Sequence, residues 1–416
     1  MKPRFLITAQ SFGFGPVSKG VTIVSILKSK YGNEAEFDFI GDDTALTFVK
    51  GNSELFNNIY ESTKNKLINL IKSNNYVGLI SVMEPYSVVL AKKYNMNVFS
   101  IDSLHWFWNW DNSFENLLKD LDNSLYNYSP EMIINTLDKI DPHNRQKVTH
   151  QFSDLSFLQK YPGKKSNQSK FQNRKFKKVN PIIDDSYKDK EIKRDKLLIS
   201  LSGQLSPIVD VDMALEYGLF CLKLLKEPLQ ELDGIEPILV GNPKVMKKVK
   251  ERTKFNCGLL SHKDMLKNIN RAIGFLCPPS ITSLYESLYY ETPVFFLPEQ
   301  HDGHYPNYER LMNSTSSQDG TFPKLLLSDY FEELKSTKES EVHYIYEKIS
   351  ELMKNTSHPV YQDLKRKSLL IKSLGNETFR KNLILKQRKK LKYFIKDKPG
   401  GYQIAKEIFP KIEVEL

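Results

Sequence analysis

One pattern dominates the first 115 residues: short apolar runs alternate with longer segments that have the periodicity of helices. The apolar runs lie at 5–9, 37–41, 77–83 and 98–101, and the helical segments at 17–29, 54–72 and 86–93. The runs are apolar at almost every position, as expected of strands that are covered on both faces. Strands that alternate with helices build βαβ units around a parallel sheet. The pattern therefore predicts an α/β domain at the start of the chain.

The same pattern begins again near residue 197, with apolar runs at 197–201, 237–240, 255–260, 273–277 and 294–297. The residues from 184 to 196 are mostly charged, which is typical of an exposed linker between domains. A chain of 416 residues is also too long for one ordinary hydrophobic core. We therefore predict a first domain at 1–183, a linker at 184–196, a second domain at 197–380 and a helical segment at 381–416.

Composition excludes several classes of protein. Apolar residues make up 40% of the chain and charged residues 26%, which is ordinary for a globular protein. No stretch approaches the roughly 20 apolar residues that a membrane-spanning helix needs. The cysteines, Cys221, Cys257 and Cys277, are odd in number and irregularly spaced, so they predict neither a disulfide framework nor a zinc site. We expect a cytoplasmic protein.

The net charge of +10 comes largely from two basic clusters, at 164–178 and 386–398. The first lies in a lysine-rich stretch, 162–179, that has no periodicity and is predicted to be a surface loop. Such clusters are either solvated surface or a contact with an acidic acceptor or with the anionic inner face of a membrane. No helix-turn-helix, zinc-finger or RNA-recognition pattern accompanies them, so we expect no specific nucleic-acid partner.

The segment at 278–307 contains the most informative chemistry. Ser280, Thr282 and Ser283 come between a predicted strand and a predicted helix. The start of a helix presents unpaired backbone N–H groups and the positive end of the helix dipole, which together favour phosphate. Glu286 lies one turn further on, where a carboxylate can accept hydrogen bonds from both ribose hydroxyls. The spacing suits a nucleotide.

This segment resembles the donor signature of the UDP-glycosyltransferase superfamily, which includes the peptidoglycan precursor GlcNAc transferase and antibiotic glycosyltransferases. The matching positions are Ser283, Glu286, Pro293, Pro298, Asp302 and Asn307. The chain departs from the signature at Pro278 and Pro279, which replace glycines, and at Gly303, which replaces a glutamine.

The resemblance implies the GT-B fold, in which two Rossmann-like α/β domains face a cleft and C-terminal helices cross back over the first domain. It implies inverting transfer of a sugar from a UDP- or dTDP-sugar with no other cofactor, and we predict from the residue spacing that this transfer is independent of metal ions. The acceptor would be a hydroxyl of a small-molecule, natural-product or cell-envelope compound, including lipid-linked ones. The oligomeric state stays open.

The resemblance also assigns site residues. Residues 280–283 would bind the diphosphate, Glu286 the ribose and Asp302 the sugar. The loop at 259–266 would read the uracil, although a strand end with a helix cap explains it equally well. The full set predicted to bind the donor is Gly13, Gly15, Gly203, Gln204, Leu260, Ser280, Thr282, Ser283, Glu286, Gln300 and Asp302.

The general base is harder to assign. An inverting transfer needs a base within hydrogen-bond reach of the acceptor hydroxyl. The superfamily normally supplies a histidine from its first glycine loop, where this chain has Pro16. We predict that His105 takes this role, held in the correct tautomer by Asp102, with Glu84 in reserve. The alternative is that these residues form ordinary loop hydrogen bonds.

Trp106, Trp108 and Trp110 are the only tryptophans of the chain. They are predicted to stack on sugar or on an aromatic acceptor, to seat their loop in a membrane interface, or to pack beneath the loop. His301 and His304 flank the donor segment, and no pair of residues has convincing metal-ligand spacing. Two other functions stay open: a sugar-nucleotide epimerase or hydrolase, and a non-catalytic partner protein with the same fold.

Overall fold

The structure is a computed structural model, which describes residues 2–32, 34–73, 75–106, 108, 115–161, 175–203, 205–206, 208–313, 320–335, 341–395 and 398–413. The chain divides into two compact units. The first unit consists of Met1–Asp184 and Asp397–Leu416, and the second of Asp185–Lys396.

The first unit is built on a parallel sheet of seven strands in the order β3-β2-β1-β4-β5-β6-β7. The strands are β1 (Arg4–Ala9), β2 (Glu36–Gly41), β3 (Asn58–Glu61), β4 (Gly78–Val82), β5 (Asn97–Asp102), β6 (Leu155–Gln159) and β7 (Phe176–Val179). The helices between them are α1 (Gly15–Tyr31), α2 (Asp43–Lys50), α3 (Lys64–Lys72), α4 (Pro85–Lys93), α5 (Glu115–Ser124), α6 (Pro130–Asp138) and α7 (Pro142–Phe152), with a 3-10 turn at Ser53–Leu55. The central strands are buried on both faces, as their apolar runs predict.

Two strands of this sheet differ from the sequence prediction. β3 and the 3-10 turn occupy part of the predicted helix at 54–72. The Asp38 side chain accepts hydrogen bonds from the backbone N and side-chain Nδ2 of Asn58, both over 3.0 Å, so pairing with β2 holds this stretch extended. β7 forms the end of the predicted loop at 162–179. Val179 is buried while Lys177 and Lys178 are exposed, the pattern of an edge strand protected by lysines. Residues 162–174 of that loop lie outside the described residues.

The second unit contains a parallel sheet of five strands in the order β10-β9-β8-β11-β12. The strands are β8 (Lys196–Ser200), β9 (Glu236–Val240), β10 (Cys257–Gly258), β11 (Ala272–Cys277) and β12 (Val294–Phe296). The helices are α8 (Val211–Gln230), α9 (Pro243–Arg252), α10 (His262–Arg271), α11 (Ile281–Tyr289), α12 (His304–Asn313), α13 (Glu341–Lys354), α14 (Pro359–Ser368) and α15 (Glu377–Ile395), with 3-10 turns at Leu327–Asp329, Glu332–Lys335 and Leu369–Gly375.

The predicted C-terminal segment, 381–416, is shared between the two units. Most of α15 lies in this segment and belongs to the second unit, where the Gln387 side chain binds the backbone N and O of Val294 over 2.9 and 2.8 Å. The last helix, α16 (Gly400–Glu413), belongs to the first unit and packs on α1 through Ile404, Ala405 and Ile408, each fully buried.

The structure confirms the predicted fold class, because each unit is a parallel sheet with helices between its strands. None of the helices in the described part of the chain is long and apolar enough to cross a bilayer.

Candidate functional site

Three loops lie together at the carboxyl edge of the second sheet. β8, β11 and β12 are adjacent and parallel, so the segments after Ser200, Cys277 and Phe296 leave the sheet on the same side. Ligands of open α/β sheets bind outside the carboxyl ends of the strands. The predicted donor segment, 280–307, begins in one of these loops and continues through the next, so it lies where such a sheet binds its ligand.

α11 begins without the usual side-chain cap from its N-cap residue. Ser280, at the N-cap, makes no capping hydrogen bond, and the first turn contains no acidic residue. Ser280, Thr282 and Ser283 are all half-exposed. Ser283 also hydrogen-bonds the thiol of Cys277, whose pKa is raised by burial. The unpaired N–H groups, the helix dipole and nearby hydroxyls make this end of α11 suited to an anionic group such as a diphosphate.

Glu286 lies one turn further along α11 and is only 5% exposed. Ser283 and Glu286 are three residues apart and so share a face of the helix. Asn307 donates from Nδ2 to the carbonyl oxygen of Pro279 over 3.0 Å, which joins α12 to the loop before α11. The structure therefore brings the predicted diphosphate and ribose residues together on one fixed helix end.

The loop between β12 and α12 fixes the tautomer of His304. The backbone N–H of Gln300 donates to Nδ1 of His304 over 3.1 Å, so a neutral imidazole must carry its proton on Nε2. Burial holds the pKa of His304 well below its usual value, and the charge of His301 lowers it further. The two imidazole rings lie 3.7 Å apart. His304 is thus a neutral side chain whose Nε2–H is a hydrogen-bond donor.

Gln300 and Asp302 are both predicted to bind the donor, but their side chains differ in burial and in the contacts that they make. Gln300 is buried, and its Nε2 donates to the carbonyl oxygen of Leu201 over 2.8 Å, which joins the loop after β12 to the loop after β8. Its amide nitrogen therefore holds the two loops together. Asp302 is half-buried, with Oδ1 3.8 Å from Nδ1 of His301.

The remaining donor predictions in this unit lie in two other loops. Gly203 is buried in the turn after β8, next to Ser202, whose φ of +62° is left-handed. Gln204 lies outside the described residues. Leu260 follows β10, an edge strand that β9 separates from β8, and precedes Ser261, which caps α10. The loop at 259–266 thus has the geometry of a strand end followed by a helix cap, and its contact with uracil stays a prediction.

In the first unit, the loop after β1 contains Gly13, whose φ of +61° favours glycine, and Gly15 begins α1. Glu84, the reserve base, is the N-cap of α4: its oxygens accept from the backbone N–H groups of Tyr86 over 3.1 Å and Ser87 over 2.8 Å. Burial raises the pKa of Glu84, while these bonds lower it. Glu84 thus caps α4 and has a raised pKa, and its reserve role as a base stays a prediction.

The Asp102 carboxylate hydrogen-bonds His150 rather than the predicted His105, whose ring interacts with the charge and the backbone of Asp102. Asp102 ends β5 and is 2% exposed. Its Oδ2 accepts from Nε2 of His150 over 2.8 Å and from Nε1 of Trp108 over 2.9 Å, and its Oδ1 accepts from the backbone N–H of Leu104 over 2.7 Å. Burial would raise the pKa of Asp102, but the hydrogen bond and charge of His150, with smaller effects from His105 and Leu104, lower it overall. Asp102 holds its own loop to α7.

His105 lies close to Asp102 and His150. Its Nδ1 is buried and has no hydrogen-bond partner among the described residues. The side chain is 7% exposed. Burial lowers the pKa of His105 more than the neighbouring Asp102 carboxylate raises it. His105 is therefore a buried imidazole whose neutral form is favoured.

The tryptophans that the structure describes are packed. Trp106 is 6% exposed and stacks on Tyr161, with ring centroids 4.4 Å apart. Trp108 is equally buried and bonded to Asp102. Packing beneath the loop is therefore the correct alternative for these two, and the prediction that they present a platform to the acceptor is wrong. Trp110 lies outside the described residues.

Across the described ranges, no group of three or more His, Cys, Asp or Glu side chains is placed to hold a metal ion.

No protein-family model matches the sequence, and no curated protein sequence matches it. The structure, in contrast, is similar to solved glycosyltransferases over its whole length. One is Arabidopsis thaliana UGT89C1 complexed with UDP, with a TM-score of 0.55, 12% identity, and coverage of 99% of this chain and 100% of that chain.

The same enzyme complexed with quercetin gives a TM-score of 0.50 at 13% identity, covering 99% of this chain and 100% of that chain. The glycosyltransferase of kitacinnamycin gives 0.50 at 10% identity, covering 99% of each chain. The chain therefore has the two-domain, Rossmann-like α/β fold of GT-B glycosyltransferases.

Proposed function

We propose that this chain is a glycosyltransferase that moves a sugar from a UDP- or dTDP-sugar to a hydroxyl group of a small-molecule or lipid-linked acceptor. The observation that carries the proposal is the start of α11, where a helix N-terminus without its usual side-chain cap and half-exposed hydroxyls lie one turn from the buried carboxylate of Glu286. The shared fold supports it, because UGT89C1 has been solved with UDP and with quercetin.

The chemistry of the donor follows from this arrangement. Backbone N–H groups at the start of α11, with Ser280 and Thr282, would hold the diphosphate and stabilise the charge that grows on it as the glycosidic bond breaks. Glu286 would accept hydrogen bonds from the ribose hydroxyls. His304, a fixed donor through Nε2, would add a hydrogen bond to a phosphate or sugar oxygen, and Asp302 would bind sugar hydroxyls. Charge stabilisation by these groups requires no metal ion.

The acceptor hydroxyl must lose a proton as it attacks the anomeric carbon. We assign this proton to the imidazole of His105, because its lowered pKa favours the neutral form of the ring, which can accept a proton. A single displacement inverts the anomeric configuration. If His105 is the base, kcat/KM falls as the pH drops through the lowered pKa of His105, because protonated imidazole cannot accept a proton.

Incubation of the protein with UDP-sugars and dTDP-sugars, with and without a panel of phenolic and lipid-linked acceptors, tests the proposal. We expect release of UDP or dTDP that depends on the acceptor, and a product of inverted configuration by NMR. His105→Gln should abolish transfer while nucleotide binding is unchanged, because His105 takes part only in proton removal.

The rival functions give different results in this assay or in a thermal-shift measurement. A free sugar or an epimer formed without acceptor would indicate a hydrolase or an epimerase. If no sugar nucleotide raises the melting temperature, the chain is a non-catalytic partner protein, since a ligand of the folded state must stabilise that state.

A further inference from the structure

A groove in the second unit lies away from the candidate donor site. It is formed by α8, the start of β9 and the segment between α9 and β10, and its volume is about 720 Å³. Its floor is apolar and consists of Leu219, Leu222, Pro237 and Phe255. A volume of this size suits one small ligand with an apolar body.

The rim of the groove is strongly basic. Lys223, Lys226, Arg252 and Lys254 all line it, and all four are exposed. Lys226, Arg252 and Lys254 form no ion pair with any residue in the described part of the chain. Like charges placed together repel one another, so an anionic ligand between them would relieve that repulsion.

The acidic residue that lines the groove, Glu236, already takes part in an ion pair. Glu236 forms an ion pair with Lys196 and accepts from Nδ2 of Asn256 over 3.1 Å. It therefore contributes little negative charge to the groove.

The groove is at the edge of the sheet opposite the donor loops. Glu236 is the first residue of β9, and Asn256 immediately precedes β10, so the groove lies at the amino ends of these parallel strands. A strand rises about 3.3 Å per residue, so the four steps of a five-residue strand such as β9 put its two ends roughly 13 Å apart. A ligand in the groove would therefore occupy a site separate from the start of α11.

We propose that this groove binds an anionic amphiphile that has one alkyl chain and a phosphate head group. The alkyl chain would cover the apolar floor, and the phosphate would lie among the rim cations. Arg252 presents a planar fork of N–H donors that matches two phosphate oxygens, and the lysines supply point charges to a dianion. A phosphate is favoured over a carboxylate because its second charge engages more of the cations.

Isothermal titration calorimetry with dodecyl phosphate, kept below the concentration at which it forms micelles, tests the proposal. We expect saturable binding of one molecule per chain. Inorganic phosphate lacks the alkyl chain and dodecyl maltoside lacks the charge, so both should bind at least tenfold more weakly, about the loss expected when a charged or apolar contact is removed. Equal binding of either control would overturn the proposal.

Charge reversal locates the site. Arg252→Glu with Lys254→Glu should weaken dodecyl phosphate binding by roughly tenfold or more, since charge-assisted hydrogen bonds are lost. Lys244→Glu with Lys247→Glu, on exposed positions of α9 that do not line the groove, makes the same change in net charge and should leave binding unchanged.

Two results would contradict the site. One is equal weakening by both double variants, which would indicate attraction to net charge alone. The other is binding only to anionic phospholipid vesicles and never to monomeric dodecyl phosphate, which would indicate a membrane-facing surface. Both double variants change exposed residues, and unchanged melting temperatures would show that they fold.

Discussion

Replacement of Asp102 by alanine tests how the first unit is held together at the end of β5. The carboxylate accepts three hydrogen bonds, from Leu104, Trp108 and His150, inside a region where it is 2% exposed. Asp102→Ala removes all three acceptor contacts, two of them to the buried side chains of Trp108 and His150 and one to the partly buried backbone N–H of Leu104.

The magnitude follows from these contacts. A hydrogen bond to a charged group contributes about 1.5–3 kcal/mol, so three would contribute roughly 4.5–9 kcal/mol if they were independent. They are not independent, because they share one carboxylate whose own burial is unfavourable. We therefore expect a loss of about 3–5 kcal/mol, the usual cost of removing one partner of a buried charged pair. Asp102→Asn keeps the shape and one acceptor oxygen, so it should cost about half as much.

Tryptophan fluorescence during guanidinium unfolding measures this loss in the first unit alone. All three tryptophans of the chain lie between residues 106 and 110, so their signal reports on this unit and on this loop. Asp120→Ala is the control, because Asp120 is exposed and accepts one hydrogen bond, from Tyr128. A change for Asp102→Ala no larger than that for Asp120→Ala would refute the assigned role of the carboxylate.

Three further predictions concern pH and packing. The stability that Asp102 contributes should be fully present above pH 3.8, the usual pKa of an aspartate, and should be lost as the pH falls through the lower pKa that Asp102 has in the folded protein. The difference in stability between the wild type and Asp102→Asn should therefore disappear in acid. Gly400→Ala should lower the melting temperature of the first unit by several degrees, because a Cβ would lie 1.9 Å from the carbonyl oxygen of Asn180. Gly20→Ala is the control: its Cβ would make ordinary contacts at 3.5 Å, so this variant should be neutral or stabilising. Glu299→Ala should destabilise the second unit by about 3–5 kcal/mol in urea unfolding followed by circular dichroism. The buried Glu299 carboxylate accepts hydrogen bonds from the turn at 327–329, and its loss leaves those donors unpaired. A smaller loss of stability than for an exposed control, Glu309→Ala, would contradict this prediction.

The sequence predicted the fold well where strands are central. β1, β4, β8 and β11 are apolar on both faces because helices cover them, and that pattern is visible in any short window of the chain. Edge strands carry a weaker signal. The polar residues of β3 fall within the predicted helix at 54–72, and pairing with β2, which lies about 20 residues away in sequence, decides their conformation.

The candidate site shows the same division between local and distant contacts. The start of α11 and Glu286 lie within seven residues, so spacing alone places them on one helix end. The partner of Asp102 is His150, 48 residues away on a helix with no distinctive pattern, and nothing near either residue signals the pair. The fixed tautomer of His304 depends on a backbone N–H, that of Gln300, which no residue pattern encodes.

Titration of UDP into the wild type and into Glu286→Ala tests the central claim most directly. Glu286 is placed to accept hydrogen bonds from the ribose, and bonds that involve a charged group contribute about 1.5–3 kcal/mol, so the Kd for UDP should rise by roughly ten- to a hundredfold. Glu309→Ala, which changes an exposed glutamate on α12, should bind UDP as the wild type does. Equal affinity for UDP in all three proteins, or no binding of UDP or dTDP to any of them, would contradict a nucleotide-sugar site at the start of α11.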